Sequence, residues 1–315
     1  MTTLADVAKR ANVSKMTVSR VLNHPEQVTE ELKALVHQAM KELDYRPNVA
    51  AKALVSNRSQ VIKVYILEEI DTTEPYFMYL LMGIAAAVGK TQYSLQLVTS
   101  ELADQGNCDG YIITGFRRGD FEWIKALDKP VILFGENTAG FDFVDSDNRH
   151  GTRNATKYAH SRGYQRLIYI GIAVDEPFEL SRESGYLEVM KDLGLAPEIH
   201  RFENRSTVTE NFIAQHFDEL GKDTCFICSS DRLALGVERG LLQQGGKVPE
   251  EFGIIGFDGV FLDQVSSPKL TTCKQAIVKM GETCGELLVK KINEEGAPQG
   301  IRRFLPVLEI RESTR

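Results

Sequence analysis

Thr3-Leu-Ala-Asp-Val-Ala-Lys-Arg-Ala-Asn-Val-Ser-Lys-Met-Thr-Val-Ser-Arg-Val-Leu-Asn23 is the stretch on which the reading of the whole chain turns. It reads as two short helices joined by a tight turn. Thr3 is placed to cap the first helix, with Asp6 three residues on in the position of a capping box. Leu4, Val7, Ala8 and Ala11 recur at i, i+3, i+4 and i+7, one apolar stripe. Asn12 falls where the chain must turn; glycine is commonest at a left-handed position, but asparagine tolerates it. Ser14 is placed to cap the second helix. On that helix Val18, Val21 and Leu22 face one way at 100° per residue, and Met16 and Arg20 face the other. Lys15 lies on the flank of the first turn. A helix that enters a DNA groove by its N-terminal turn needs this arrangement, with its back packed on the helix before it.

An ordinary helical hairpin with a solvated face would show the same periodicity. Three features separate the two readings. The helices are very short, so each needs the other. A third helix, with a Thr29 cap and Leu32, Leu35, Val36, Ala39, Met40 and Leu43 on one stripe, closes a three-helix core. The segment is also locally basic: residues 1–58 hold 9 Lys+Arg against 6 Asp+Glu, while the remainder of the chain holds 28 against 38. A basic head on an acidic body suits a protein that meets phosphate at one end only.

At 315 residues the chain is long enough for two or three domains. Its 43% hydrophobic and 26% charged residues are those of a globular protein. No apolar run approaches about 18 residues, so no transmembrane helix is expected. No apolar h-region opens the chain, so a cytoplasmic location is expected. The five cysteines, Cys108, Cys225, Cys228, Cys273 and Cys284, are odd in number and scattered, which argues against a disulfide framework. Cys225 and Cys228 form a CxxC, but a metal site would want a second pair or histidines at ligand spacing. The pair lies in an apolar run that reads as a buried strand, so neither a metal nor a cofactor is expected.

Past the third helix comes Tyr45-Arg-Pro-Asn-Val-Ala-Ala-Lys-Ala-Leu54. Pro47 starts a helix well, yet Asn48–Leu54 is too short to hold as an isolated helix, which needs roughly 12–15 residues. Such a segment is expected to fold only when two copies meet on DNA. Together, Val13-Ser-Lys-Met-Thr-Val-Ser-Arg-Val-Leu-Asn23 and this second motif resemble the recognition helix and hinge helix of the lactose-repressor (LacI/GalR) family of bacterial transcription regulators. The family pattern usually has glycine where this chain has Asn12.

The resemblance implies that Lys15, Met16 and Arg20 read bases: arginine bonds a guanine edge through two donors, lysine does so more loosely, and methionine touches a thymine methyl. It implies phosphate contacts for Ser14, Thr17, Ser19 and Asn23. Thr3 and the hinge residues Asn48, Ala51 and Lys52 complete the DNA-binding set, and Leu54 would wedge into the minor groove. The expected layout is a helix-turn-helix domain at 1–46, hinge and linker at 47–58, and an effector-binding and dimerisation domain at 59–315. That domain is expected to be α/β and similar to periplasmic binding proteins. Its two doubly wound parallel-sheet subdomains would span about 59–146 plus 276–303 and about 147–275 plus 304–315.

The pattern from Val61 onward supports this layout. Strands read at 61–67, 94–98, 110–114, 130–134, 166–171, 226–229, 253–257 and 304–310. Helices read at 76–90, near 121–127, and at 150–162, 180–193, 208–220, 231–244 and 276–295. Regular βα alternation means parallel sheets covered by helices. One departure is the short Thr99–Cys108 connection, where the family usually has a full helix near its dimer contact.

In doubly wound folds ligands bind beyond the carboxyl ends of strands. Candidates just after strands are therefore Ser230, Asp258 and Gln275, the last following Leu270-Thr-Thr-Cys-Lys274; the resemblance implies Tyr76 and Phe77 as stacking surfaces and Arg182 as a rigid fork of donors. Asp147 and His150, near the subdomain crossover, are further candidates, and Asp231 reads as a helix cap. Tyr76 and Phe77 could equally be core, and Arg182 and Asp258 could form surface ion pairs. The functional expectation is a homodimeric repressor of carbohydrate-utilisation genes, bound to a pseudo-palindromic operator and controlled by a sugar or sugar derivative; a corepressor or protein partner is the alternative within the family. An α/β enzyme is the rival class, but G-x-G-x-x-G, G-x-S-x-G and GxxxxGK[ST] are all absent. A solute-binding protein without a DNA role is argued against by the head.

Overall fold

The computed structural model describes residues 2–23, 27–45, 58–68, 75–99 and 106–315. They divide into two units, Met1–Gln60 and Val61–Arg315. In the first unit, α1 (Leu4–Arg10), α2 (Lys15–Asn23) and α3 (Glu30–Glu42) form a three-helix core. The capping box closes as its sequence suggests: Asp6 N donates to Thr3 Oγ1 at 3.4 Å and Thr3 N to Asp6 Oδ2 at 2.8 Å. Asn12 takes φ 52°, the left-handed turn. Thr17 N donates to Ser14 Oγ at 3.0 Å, which starts α2, and Thr29 caps α3. Val7, Val18 and Val36, one from each helix, are each 0% exposed. Each contributes about 1.5–3 kcal/mol by leaving water, which is what holds helices too short to stand alone. Leu35 is not part of this core; it is exposed on α3.

The second unit contains two six-stranded sheets. The first is built from β1 (Val61–Ile66), β2 (Ser94–Thr99), β3 (Gly110–Thr114), β4 (Val131–Phe134), β5 (Phe143–Ser146) and, much later, β11 (Ile301–Phe304). Their order is β11-β5-β4-β3-β1-β2, all parallel. The second contains β6 (Arg166–Ile172), β7 (Glu198–Phe202), β8 (Thr224–Cys228), β9 (Phe252–Asp258), β10 (Thr271–Lys274) and β12 (Val307–Glu309), in the order β12-β10-β9-β8-β6-β7. Only β12 runs antiparallel to its neighbour. The strand expected at 304–310 is thus two strands in different sheets. Pro306 stands between them, and proline cannot donate to a ladder.

Helices cover the sheets as βα alternation requires. On the first, α4 (Tyr76–Val88) and α11 (Ile277–Asn293) cross at Gly83 and Gly281. A Cβ on Gly83 would lie 2.0 Å from Val278 O, so only glycine permits this approach. The short α5 (Phe121–Lys125) packs on the opposite face. On the second sheet lie α6 (Asn148–Ser161), α7 (Pro177–Leu193), α8 (Ser206–His216) and α9 (Asp231–Gln243), with the short α10 (Leu262–Val265) against α9. The chain passes between the sheets three times: from β5 to α6, from β10 to α11, and from β11 to β12. Residues 100–105, most of the shortened connection, lie outside the described residues, as do hinge residues Asn48, Ala51, Lys52 and Leu54.

Candidate functional sites: an exposed reading helix and an inter-sheet cleft

On the head, the two faces of α2 separate as 100° per residue requires. Val18 and Val21 are buried, while Lys15, Met16 and Arg20 are exposed, Met16 at 64%. An exposed methionine between two cations has no packing role on this face. Ser14 and Thr17 are engaged with each other, Oγ to Oγ1 at 2.9 Å, and Thr3 Oγ1 donates to Asp6 Oδ2 at 2.7 Å. Ser19 is half-buried on α2. Asn23 closes α2; its side chain falls outside the description, as do the four hinge residues.

In the second unit, the carboxyl ends of strands from both sheets line one cavity of about 850 Å³. Tyr76 and Phe77 open α4, with ring centroids 5.4 Å apart edge to face, and Tyr76 meets Phe134 of β4 at 6.4 Å. Phe178 of α7 adds an aromatic wall on the side of the second sheet. Between these walls stand Arg182, Asp145, Ser230 and Asp258.

Arg182 is buried and held from three sides. Nε donates to Asn148 Oδ1 at 2.8 Å, Nη1 donates to Ser229 O at 2.5 Å, and the guanidinium lies 3.8 Å from the Phe257 ring centroid. Two nitrogens are thereby committed, and Nη2 has no protein partner among the described residues. A fork fixed in this way presents a donor to the cavity at little entropic cost. Asp145 is buried on β5. Its oxygens accept from Ser146 N at 2.6 Å, Glu136 N at 2.8 Å and Asn148 Nδ2 at 3.1 Å. Burial pushes its carboxyl up to about 6, against the pull of these bonds and of Arg182. Burial, and then the charges of Asp258 and Asp145, push the Tyr76 phenol well above its ordinary range.

Asp258 ends β9 with φ 125°, a region that L residues rarely adopt. Its Oδ1 accepts from Gln275 Nε2 at 2.8 Å. Ser230 accepts from Leu233 N at 3.2 Å and so caps α9. The cap is therefore Ser230 and not Asp231. Asp231 is buried one residue on, accepting from Thr272 Oγ1 at 2.6 Å and Gly259 N at 2.8 Å. Burial, with Asp258 nearby, raises its carboxyl well above the usual range.

The structure thus brings Tyr76, Phe77, Arg182, Ser230 and Asp258 to one cavity. It does not bring Gln275, Asp147 or His150 there. Gln275 lies behind Asp258 and accepts from Ser146 Oγ at 2.6 Å. Asp147 is the cap of α6, accepting from His150 N at 2.9 Å, and the His150 ring bonds the Asn154 amide at 2.7 Å. Asp145, Glu136, Asn204 and Phe178 line the cavity without having been singled out from the sequence. For Asp145 a signal existed: a carboxylate inside the short strand Phe143-Val-Asp-Ser146 has no packing reason to be there.

Among the described residues no helix is long and apolar enough to cross a membrane, and no group of three metal-ligating side chains occurs. A helix-turn-helix head and a two-sheet domain with an inter-sheet cleft together define a class of DNA-binding transcriptional regulators. The comparisons place the chain within it. The model of the lacI family of bacterial regulatory proteins matches residues 3–48, and that of the periplasmic binding protein-like domain matches residues 156–314. An uncharacterised HTH-type transcriptional regulator of Bacillus subtilis, YvdE, is 51% identical over 315 residues, all of both chains. The ribose operon repressor of Halalkalibacterium halodurans is 30% identical over 334 residues, covering 100% of this chain and 98% of its own. The chain belongs to the lacI family; it is a DNA-binding transcriptional regulator and not an enzyme. Solved structures share the fold over nearly the full length. The Lac repressor dimer bound to operator and the anti-inducer ONPF has TM-score 0.77 at 22% identity, covering 99% of each chain. The regulator CelR in complex with cellobiose has TM-score 0.73 at 24% identity, covering 99% of this chain and 100% of its own.

Proposed function

We propose that this regulator acts in the cytoplasm as a homodimeric repressor of carbohydrate-utilisation genes, with a sugar or sugar derivative in the inter-sheet cleft as its effector. The observation that carries the reading is the lining of the cavity: aromatic rings on both walls with Arg182, Asp145 and Asp258 between them. A sugar presents C–H faces to rings and hydroxyls to forks and carboxylates, so aromatic walls flanking fixed polar groups match it. Relatives and neighbours point the same way, by their names: a ribose operon repressor, a cellobiose complex, and a lacI-family regulator from Enterococcus faecium with bound ribose.

On the DNA side, Arg20, Lys15 and Met16 read base edges, and Thr3, Ser14, Thr17, Ser19 and Asn23 set the register on phosphate. Two heads on a pseudo-palindromic operator, with the hinge residues Asn48, Ala51, Lys52 and Leu54 at its centre, make the complex depend on dimer geometry. Effector binding shifts the balance between two arrangements of the sheets and so the affinity for the operator. A thermal-shift screen of the full-length protein against mono- and disaccharides, sugar phosphates and sugar acids tests the effector class. A ligand that binds only the folded state raises the melting temperature. Failure of every sugar, with a non-sugar ligand succeeding, removes the carbohydrate reading.

A further inference from the structure

Two cavity side chains carried by the second sheet and its helices are tied to the first sheet, each through one amide. Arg182 Nε donates to Asn148 Oδ1 at 2.8 Å, and Asn148 Nδ2 donates to Asp145 Oδ2 at 3.1 Å. Gln275 Nε2 donates to Asp258 Oδ1 at 2.8 Å, and Gln275 Oε1 accepts from Ser146 Oγ at 2.6 Å. Asp145 and Ser146 are consecutive residues at the end of β5. Adjacent strand residues point to opposite faces, so the two chains of bonds leave β5 on both sides and constrain its twist as well as its position. Both amides stand where the chain changes sheets: Asn148 at the start of α6, Gln275 between β10 and α11. They are 1% and 5% exposed, and neither lines the cavity.

Charge fixes the direction of each amide. The Asp145 carboxylate accepts only, so Asn148 turns its NH2 that way and offers its oxygen to the arginine. The Asp258 carboxylate does the same to Gln275, whose oxygen takes the serine hydroxyl. Neither amide can flip without opposing like groups.

We propose that Asn148 and Gln275 are positioning residues that carry occupancy of the cleft to strand β5, so that a ligand held by Arg182 and Asp258 changes how the first sheet sits against the second. This rests on the reading that the effector occupies the cleft. A ligand that draws Arg182 or Asp258 towards the cavity loads or unloads the amide behind it, and the load reaches one strand from both faces. Such a chain has the two-ended differential contact that coupling between sites requires.

The test compares wild type with Asn148→Ala and Gln275→Ala as full-length proteins, using cellobiose, maltose and ribose as probes. Sugar affinity is read from thermal shift, and the response from anisotropy on DNA taken from upstream of the gene. The variants should keep sugar affinity within about tenfold of wild type. The sugar's effect on DNA affinity, of the order of 5–150-fold in coupled systems, should fall below about twofold. A full response in both variants overturns the proposal. If an alanine variant misfolds, the same-sized Asn148→Asp and Gln275→Glu replace it, since each sets a carboxylate against Asp145 or Asp258.

A second arm uses no ligand. In 15N-arginine-labelled protein, the Arg182 Nε–H signal, assigned with Arg182→Lys, should move with a midpoint near pH 6 as Asp145 ionises. The groups facing Asp145 are Arg182 and Glu136, with the Tyr76 phenol and the Cys284 thiol alongside. The movement should be lost in Asn148→Ala. If no probe sugar binds wild type, the effector reading fails by itself; an Arg182 signal indifferent to pH, or to removal of Asn148, then overturns the coupling.

Discussion

Arg182→Met is the substitution whose cost follows most directly from the geometry. Methionine keeps the length and apolar stem of the side chain and can still lie on Phe257, recovering about 0.3–1.5 kcal/mol of sulfur–aromatic contact. It loses the bonds to Ser229 O and Asn148 Oδ1. Bonds made by a charged donor are worth about 1.5–3 kcal/mol each, so the gross loss is about 3–6 kcal/mol and the net about 2–5 kcal/mol. For a body of this size each kcal/mol moves the midpoint by about 2–4 °C. The loss should also depend on pH. Arg182 lowers the carboxyls of Asp145 and Glu179, both buried and both already raised by desolvation. Without the arginine, ionised Asp145 is opposed further and its folded-state pKa climbs beyond about 6. Well below that value Asp145 is protonated in both proteins and only the loss of the two hydrogen bonds remains; above it, wild type alone has the compensating cation. The deficit in melting temperature, measured by differential scanning fluorimetry without ligand, should therefore be larger at pH 7.5 than at pH 5. An unchanged midpoint, or a deficit independent of pH, would refute the role given to this arginine. Thermal shift by sugars should be lost in the same variant.

Arg20→Ala should cost about 1–3 kcal/mol of operator affinity and relax preference at one base pair, while affinity for unrelated DNA changes little; competition anisotropy reads both. Glu238 is buried on α9, its carboxyl oxygens lack a hydrogen bond of good geometry, and burial pushes it up to about 7. A raised carboxyl keeps its stability at low pH and loses it as pH rises from the ordinary 4.5 towards 7. Glu238→Gln should thus raise the melting temperature at pH 8, by up to about 3 kcal/mol in stability, with no gain near pH 4.5. Gly281→Val should unfold or strongly destabilise the second unit, because a Cβ there would sit 2.4 Å from Leu80 O; a near-native urea midpoint would mean that the α4–α11 crossing can open at small cost.

The head was legible because its logic is local. Thr3 bonds Asp6 and Ser14 bonds Thr17, each three residues away, Asn12 turns its own backbone, and a helical stripe places Met16 and Arg20 opposite Val18 and Val21 without further information. Leu35 shows the limit, since an apolar residue on the right stripe still lies beyond the edge of a core this small. In the body, alternation predicted the parallel sheets and a strand end pointed to Asp258, whereas Arg182, inside a helix, came from the family resemblance. Sequence position could not say which way a side chain turns once past the strand, so Gln275 was grouped with ligand contacts when it stands one bond behind them. Asp147 was a cap for the same local reason as Thr3. Asp145 carried a signal, a carboxylate directly after Phe143 and Val144, but strand order is needed to show that β5 lies between β4 and β11 and is no edge. Pro306 was the visible mark of the break in the 304–310 run.

In the proposed function, occupancy of the cleft controls the reading of DNA by the head. It is tested most directly by anisotropy titration of the full-length protein on labelled DNA from upstream of its own gene, against a scrambled duplex, across a salt series, with and without a sugar that raises its melting temperature. Binding should be selective and weaken steeply with salt, and the affinity should change at least about fivefold when the sugar is present. Equal affinity for both duplexes, or selective binding that the sugar leaves unchanged, would contradict it.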